Sequence, residues 1–365
     1  MQGCSIRRSY RNADHKNCIM YNYFMDFSHL QEFPASLQTE WDSLLAKGIT
    51  HVPFLRYEYL RTWWQTRGGG EWPQNARLLI ITARDNGHLC GIAPCFISER
   101  EEKQTLLLLG SVEISDYLDL LVEPRYAAAF TDGLIAYIKT VLTPQYGIER
   151  IKFDNIPDSS PSLEAVRSAC QTRGLEFTSE SLARSPYIPL SGDYEEYLAS
   201  LDKKQRHEMR RKARRVLELP QGSDWYIVSD PETLDHEIDE FLRLMAYDEN
   251  KRRFLTETMK EQMRLSMRDA FGHHLLQLAF LTIGGEKAAG YLNFDFNNRI
   301  WVYNSGIDPK FFEHSPGWVL LVHLIKWAVE NNRFEFDFMR GSEDYKYKFG
   351  AMDRNVMRVS IDLKK

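Results

Sequence analysis

The segment "LLQLAFLTIGGEKAAGYLNFDFNNRIWVYNSGID" constrains the fold more than any other part of the chain. Gly284-Gly285 and Asn297-Asn298 sit between apolar runs, and such pairs adopt the positive φ that two-residue hairpins need. The segment therefore predicts three antiparallel strands in a meander. "SPGWVLLVHLIKWAVENN" follows as a strongly apolar helix with Pro316 at its start, and "FEFDFM" as a buried strand. Upstream, a helix over Tyr194–Leu217 is stopped by Pro220. "DWYIVSD" then reads as a strand, and Pro231–Met245 and Thr256–Phe271 as helices. "VMRVSIDL" closes the chain as a last strand.

A chain of 365 residues exceeds the size at which one hydrophobic core keeps growing, so a second unit is expected. The first half supplies a degraded version of the same order. "RLLIITARDNGHLCGIAPCFISE" is a hairpin about Asn86-Gly87, and "TLLLLGS" and "YLDLLVEP" are short buried strands. Arg125–Leu142 has helical spacing, "IERIKF" is a strand, and Ser162–Arg173 is a helix ended by Gly174. "FTSESLARSPYIPL" leads out as an extended segment. One early helix stands where the second half has two. The expected class is α/β (α+β), with two units of similar build over 26–190 and 191–365. Each is a mixed, largely antiparallel sheet flanked by helices, and residues 1–25 form a polar tail.

The net charge of −5 demands neither nucleic acid nor an anionic membrane as partner. No apolar run is long enough to span a bilayer, and the arginines near the start have no apolar stretch behind them, so no secretory signal is expected. Five scattered cysteines fit a reducing cytoplasm better than a disulfide framework. Cys90 and Cys95 lack the second pair a zinc site requires, so no metal is expected. Oligomeric state leaves no signal.

Four stretches can carry chemistry. At "YNSGIDPKFFEHSPGWVLL" a strand ends and a helix begins, and helix-start amides make an anion site. There Gly317, Trp318 and Val319 would hold a pyrophosphate, with Ser315 as hydroxyl donor or N-cap; an ordinary capped helix gives the same letters. In "FDFMRGSEDYKYKFG", period two sets Asp337 apart from its phenylalanine neighbours, and Glu343, Tyr345 and Lys346 project from a turn beyond Gly341. A lysine there can neutralise an oxyanion and a tyrosine can pass a proton to a leaving group, unless the run is only a solvated turn. In "SVEISDYLDLLVEP", Asp116 and Asp119, with Tyr117 between them, interrupt an apolar strand. A carboxylate so placed is paired, capping or a general base. Finally, "LDKKQRHEMRRKARRVLE" is the one strongly basic element, with Arg210 and Arg211 at its centre. It suits the phosphates of a cofactor, a nucleotide-linked lipid or sugar, or tRNA, or a solvated face paired with acids.

Taken in this order, the stretches resemble the CelD-like (cellulose-biosynthesis-type) acetyltransferases of the GNAT superfamily, relatives of the Fem-type aminoacyl transferases. The resemblance rests on "FLRYEYLRTWW", "LCGIAPCFIS", "LLLLGSVEISDYLDLLVEP", "LDKKQRHEMRRKARR", "SPGWVLL" and "FDFMRGSEDYKYKFG", and runs from about Asp26 to the end. It implies tandem GNAT-like domains with the acceptor bound between the halves. The reaction it implies is acyl transfer from acyl-CoA, above all acetyl-CoA, to an amine or hydroxyl of a small molecule, sugar or envelope precursor. By the same resemblance Lys346 matches the lysine of an aromatic-Lys motif that stabilises charge at the transfer step. Tyr303, Asn304 and Ser305 would supply backbone groups to the donor, and Tyr117, Asp119, Arg210, Arg211 and Asp337 would face substrate. The usual phosphate loop reads Gln/Arg-x-x-Gly-x-Gly/Ala, and here those slots hold His314, Gly317 and Val319. A valine in the last slot predicts crowding of a pyrophosphate, which favours the Fem-type alternative with aminoacyl-tRNA as donor. A third alternative is a non-catalytic protein that binds a polysaccharide or lipid-linked sugar. DNA is not implied by any of them.

Overall fold

The computed structural model describes residues 4–11 and 20–363. The chain divides into two compact units. One comprises the chain up to Ala183 together with the terminal segment from Asn355, and the other is Arg184–Arg354. The boundary thus falls inside a strand, seven residues before the expected one.

The first unit opens with β1 (Cys4–Arg11) and β2 (Met20–Leu30), which pair antiparallel in the region expected to be a tail. Residues 12–19 of that expected tail lie outside the described residues. Two helices follow, α1 (Gln38–Lys47) and α2 (Tyr57–Arg67), where one was expected. Trp41, Tyr57, Leu60 and Trp63 on these helices, and Phe54 in the 3-10 turn between them, are completely buried, so the aromatic residues of "FLRYEYLRTWW" build core. The meander is β3 (Arg77–Asp85), β4 (His88–Arg100) and β5 (Lys103–Leu108). Asn86 and Gly87 both take positive φ at its first turn, as their identities require.

After α3 (Ser111–Ile114) only Leu121–Val122 of the expected strand pairs, as β6 against β4. Helix α4 (Ala127–Tyr137) runs through a π-turn into α5 (Thr143–Tyr146). Then come β7 (Arg150–Pro157), parallel to β5, α6 (Pro161–Thr172) and β8 (Glu176–Pro189). The unit's sheet order is β1-β2-β3-β4-β5-β7, completed by β14 (Met352–Asp362), whose residues from Val356 pair with β7.

The second turn of this meander was not legible. Glu101 and Glu102 stand at φ 54° and 59°, a left-handed conformation that costs a side chain about 1–2 kcal/mol per residue. Glu101 recovers part of this by accepting hydrogen bonds from Arg150 Nη1 (2.8 Å) and Lys152 Nζ (3.1 Å). These bonds hold its carboxyl down at about 2. A carboxyl depressed on folding adds stability above its unfolded value that is lost as pH falls through the folded one. Glu101→Gln should therefore cost about 0.5–1 kcal/mol at pH 7, a figure reduced for the exposure of this side chain, and almost nothing at pH 2. Urea unfolding at the two pH values checks it.

The second unit starts at the end of β8. The expected single helix over Tyr194–Leu217 is two, α7 (Tyr194–Ser200) and α8 (Lys203–Leu217). Leu201 is extended, and Asp202 caps α8 by accepting from the Gln205 amide at 2.9 Å. Aspartate serves a helix better as its cap than in its interior, so the break falls there. β9 (Ser223–Ile227) precedes α9 (Leu234–Met245), a short α10 (Glu249–Phe254) absent from the sequence reading, and α11 (Glu257–Gly272). The meander is β10 (Leu276–Ile283), β11 (Glu286–Phe296) and β12 (Arg299–Ile307), with all four turn residues at positive φ. Helix α12 (Pro316–Glu330) crosses back to β13 (Glu335–Asp337), and α13 (Asp344–Lys348) leads to β14.

The sheet order in this unit is β8-β13-β12-β11-β10-β9. One face packs α8 and α12 over Leu281, Ala289, Ile300 and Phe336, and the other carries α9 and α11. Helix α9 lies so close to β12 that a Cβ on Gly306 would meet the Leu244–Met245 backbone at 2.5 Å. Setting aside the short α3, β6 and α10, each unit contains the run strand, two helices, three-stranded meander, helix, parallel strand, helix. Among the described residues no helix is long and apolar enough to cross a membrane.

Candidate active site of the second unit

Strand β12 pairs with β13 over three residues only, Arg299–Trp301 against Glu335–Asp337, and then continues to Ile307 paired with β11 alone. Its path is bent by a bulge. Leu292 faces Asn304 and Asn293 faces Val302, so Tyr303 is the extra residue. Bulges bend a strand and re-aim its groups, often beside functional sites. Beyond the bulge, Ser305 stands opposite Tyr291 of β11, on the length of β12 that β13 does not reach. Its N–H donates to Asn304 Oδ1 (2.9 Å), and its carbonyl accepts from Lys251 Nζ (2.5 Å). The separation of β12 from β13 thus leaves a short length of strand whose polar groups are served by side chains.

Lys251 was not singled out from the sequence. Asp248 caps α10 by accepting from the Lys251 amide (3.0 Å), which fixes this lysine one turn into the helix and aims it at Ser305. Burial lowers its pKa, against Asp248 and Glu343, which raise it. The available signal was Asp248 ahead of "ENKRRF", a cap before helix formers. On the other side, Ser305 hydrogen-bonds Tyr291, whose phenol is pushed well above its usual range by burial. Tyr345 lies beside Tyr291 and packs edge-on against Phe338 with centroids 6.1 Å apart. Burial, and then Glu343, raise its pKa too, so both phenols stay protonated at neutral pH.

Helix α12 begins at the same place. A Cβ on Gly317 would sit 2.6 Å from Ile307 Cδ1 and 3.9 Å from Tyr291 Oη, so the helix starts close against β12 and a larger residue there would have to displace the Ile307 side chain. The first-turn amides of Gly317 and Trp318 have no acceptor within the helix. Val319 departs from expectation twice. Its side chain is buried in the core, so it does not crowd the helix start, and its amide already donates to the Ser315 carbonyl at 3.1 Å. Ser315 has φ 52° and its hydroxyl makes no capping bond, so it is not a side-chain N-cap. Two further cations, Lys212 of the basic stretch and Lys348, stand over the Trp318 ring. Lys212 Nζ is 4.3 Å and Lys348 Nζ 6.0 Å from its centroid, and the indole Nε1 is buried with no hydrogen-bond partner.

The expectation that Lys346 stabilises charge at the transfer step is corrected. The side chain is buried, and its ammonium donates to the carbonyls of Phe338 (3.1 Å), Met339 (3.4 Å), Arg340 (3.1 Å) and Gly341 (2.8 Å). Glu343 Oε2 lies 2.9 Å away. Three N–H donors face five acceptors, so none is left for an oxyanion. Lys346 instead shapes the loop from β13 to α13, in which Met339 and Gly341 take positive φ, and so sets Tyr345 in place. Glu343 is the exposed partner of this lysine. Asp337 is wholly buried. It accepts from the Met339 amide (2.6 Å) and lies 3.7 Å from Arg354, which also holds Glu335 at 2.6 Å. It is structural, with no face toward a substrate.

In the first unit Asp116 is half-buried, on a loop that Asn155 pins by donating to the Ser115 carbonyl (2.7 Å) and accepting from the Leu118 amide (2.9 Å). Tyr117 and Asp119 are buried, against the expectation that they face substrate. Asp119 accepts from the Ser160 and Ser162 hydroxyls (both 2.5 Å), from Thr50 and from the Leu120 amide (2.8 Å). It ties this loop to the start of α6, and burial raises its pKa. Arg210 is exposed and paired with Glu195 at 2.5 Å, and Arg211 is exposed beside it.

Residues 203–347, which hold the site in the second unit except Lys348, match the family described as Acetyltransferase (GNAT) domain. Among solved structures the chain is similar to FemX, with TM-score 0.62 and 12% identity over 88% of this chain and 95% of that one. It is also similar to the C-terminal (DUF2156) domain of a putative lysylphosphatidylglycerol synthetase from Agrobacterium fabrum, with TM-score 0.52 and 10% identity over 89% and 91%. A tandem GNAT protein from the clavulanic acid biosynthesis pathway gives TM-score 0.50 and 12% identity over 93% and 99%. No curated protein sequence matches the chain. At these identities the structures attest the fold alone. The chain is a tandem GNAT fold whose second unit contains an acetyltransferase (GNAT) domain.

Proposed function

We propose that the second unit catalyses acyl transfer from acyl-CoA, acetyl-CoA above all, to an amine or hydroxyl of a small molecule, sugar or envelope precursor in the cytoplasm. The observation that carries this reading is the separation of β12 from β13 immediately ahead of the glycine-bearing start of α12. A thioester laid along Ser305 would bring its phosphates to the Gly317 and Trp318 amides, with Lys348 and Lys212 beside them. The acceptor attacks the thioester carbonyl and the C–S bond breaks. Tyr345, kept protonated by burial, gives its proton to the departing sulfur. Lys346 acts through the loop it organises and positions Tyr345. The proton of the attacking amine or hydroxyl passes to water, and the Tyr345 phenolate is reprotonated from solvent.

The test is thiol release on mixing the protein with acetyl-CoA and a panel of amines and amino sugars. Tyr345→Phe should lower kcat about 100-fold with little change in KM, the usual size of one lost acid–base group. Release that is unaltered in Tyr345→Phe contradicts the assignment.

The Fem-type reading, with aminoacyl-tRNA as donor, draws support from the likeness to FemX and from the exposed Arg211 and Arg215 on α8. It requires steeply salt-dependent tRNA binding that weakens in Arg211→Ala/Arg215→Ala. A non-catalytic sugar-binding role would leave biological activity intact in Tyr345→Phe.

A further inference from the structure

Helix α8 presents two different flanks. Lys212 faces the Trp318 ring, while Arg210, Ala213, Arg214 and Leu217 line a groove of about 550 Å³ on the other side. At 100° per residue, Lys212 lies about 160° around the helix from Arg210 and from Arg214, so the groove and the start of α12 are reached from opposite flanks. The groove is also bordered by α7, β9 and α12. Its size falls within the ~300–1,000 Å³ of small-molecule sites.

Its interior is hydrocarbon. Leu198, Met209, Val216, Leu281 and Val322 form the floor, all buried. Trp225 and His323 make one wall, stacked with centroids 5.1 Å apart and planes 18° from parallel. At the lip Leu217 is 75% exposed, an aliphatic side chain left in water. The rim is cationic. Arg210 and Arg214 stand one turn apart on one side and Lys326 on the other. Arg210 and Lys326 have exposed acid partners in Glu195 and Glu330, whereas Arg214 has no carboxylate partner among the described residues. The other lining acid, Asp224, accepts from the Trp225 amide at 2.8 Å.

We propose that this groove binds a single-chain lipid phosphate, with its hydrocarbon chain on the aliphatic floor and its head group between Arg214 and Lys326. The guanidinium fork matches two phosphate oxygens, and the aliphatic floor suits a hydrocarbon chain better than a sugar, although Tyr194, Ser223 and His323 also line the groove. A second copy of the chain is a poor occupant. Self-complementary docking would bring two sets of rim cations onto one patch. The proposal does not depend on acyl transfer, since neither Arg214 nor Lys326 belongs to the candidate active site.

The experiment is calorimetry on the full chain with dodecyl phosphate below its micelle concentration, with acetyl-CoA titrated in parallel. Saturable one-to-one binding is expected. Dodecyltrimethylammonium and inorganic phosphate should each bind at least tenfold more weakly, and Trp225 fluorescence should change on saturation. Arg214→Ala/Lys326→Ala, two exposed truncations, should weaken dodecyl phosphate at least tenfold and leave acetyl-CoA binding and the melting temperature unchanged. Ala213→Trp should block the chain's entry. Equal affinity for the cationic surfactant, or no effect of the double variant, would overturn the proposal. So would light scattering showing a dimer that the double variant dissociates and dodecyl phosphate does not. Loss of acetyl-CoA binding alone would count against the transferase reading and leave this one standing.

Discussion

Lys346→Met is expected to lose stability and activity together, with about 2–4 kcal/mol less resistance to unfolding and no measurable transfer. The methionine keeps the length of the side chain and removes the ammonium. Four carbonyls, of Phe338, Met339, Arg340 and Gly341, then converge on a space without a donor, and Glu343 loses its partner. A loop held at positive φ at Met339 and Gly341 has little reason to keep that course unaided. Tyr345, which follows on α13, would be set loose with it. The joint loss separates two roles for this lysine. A lysine that only stabilises charge in the transition state leaves a stable, inactive protein when replaced. A lysine that builds the loop gives a less stable one, with fast amide exchange over residues 338–343. Urea unfolding and hydrogen exchange on the same variant distinguish the two.

The largest effect on stability should come from Arg354→Met, about 3–5 kcal/mol at pH 7, the range for leaving buried carboxylates without their cation. Arg354 contacts Glu335 at 2.6 Å and lies 3.7 Å from Asp337, with its guanidinium stacked 3.6 Å over the Tyr187 ring. Both acids are buried, and both are on β13, the strand whose short pairing with β12 defines the candidate site. In the variant Glu335 keeps only Arg299, 3.7 Å away, and Asp337 loses the charge of Arg354, so the low dielectric favours uptake of a proton by this buried pair. The folded variant then binds more protons than the unfolded chain at neutral pH, and its stability increases as pH falls toward 4. The deficit relative to wild type should therefore shrink on acidification. A deficit that stays constant from pH 7 to pH 4 would mean that Arg354 acts through its packing on Tyr187 alone.

These two residues also show what a sequence can disclose. The turns at Asn86-Gly87, Gly284-Gly285 and Asn297-Asn298 were legible because the residues themselves favour positive φ, and each meander followed from them. Glu101-Glu102 makes the same kind of turn with residues that disfavour it, and only its tertiary partners Arg150 and Lys152 explain why. The single helix expected from Tyr194 onward failed at Asp202 because its periodicity outweighed one capping residue. Paired strands over Cys4–Arg11 and Met20–Leu30 went unseen because polar letters there suggest a tail.

At the site, position along the chain was informative and side-chain direction was not. Tyr345 and the helix start at Gly317 both lie near Tyr291, which hydrogen-bonds Ser305. Lys346, one residue further on, turns inward to carbonyls that no sequence pattern marks. Asp119 and Asp337 read as substrate groups because a carboxylate among apolar residues demands a partner. Both found theirs within the fold, one in serine hydroxyls and one in Arg354. Lys251 was overlooked because its partner is the backbone of a strand far away in sequence.

The most direct test of donor binding at the β12–β13 separation is a crystal structure of the full chain grown with acetyl-CoA. The account predicts density for the thioester along Ser305, sulfur within reach of the Tyr345 hydroxyl, and phosphates at the Gly317 and Trp318 amides. Clear density for acetyl-CoA at any other place, with β12 and the start of α12 bare, would contradict it.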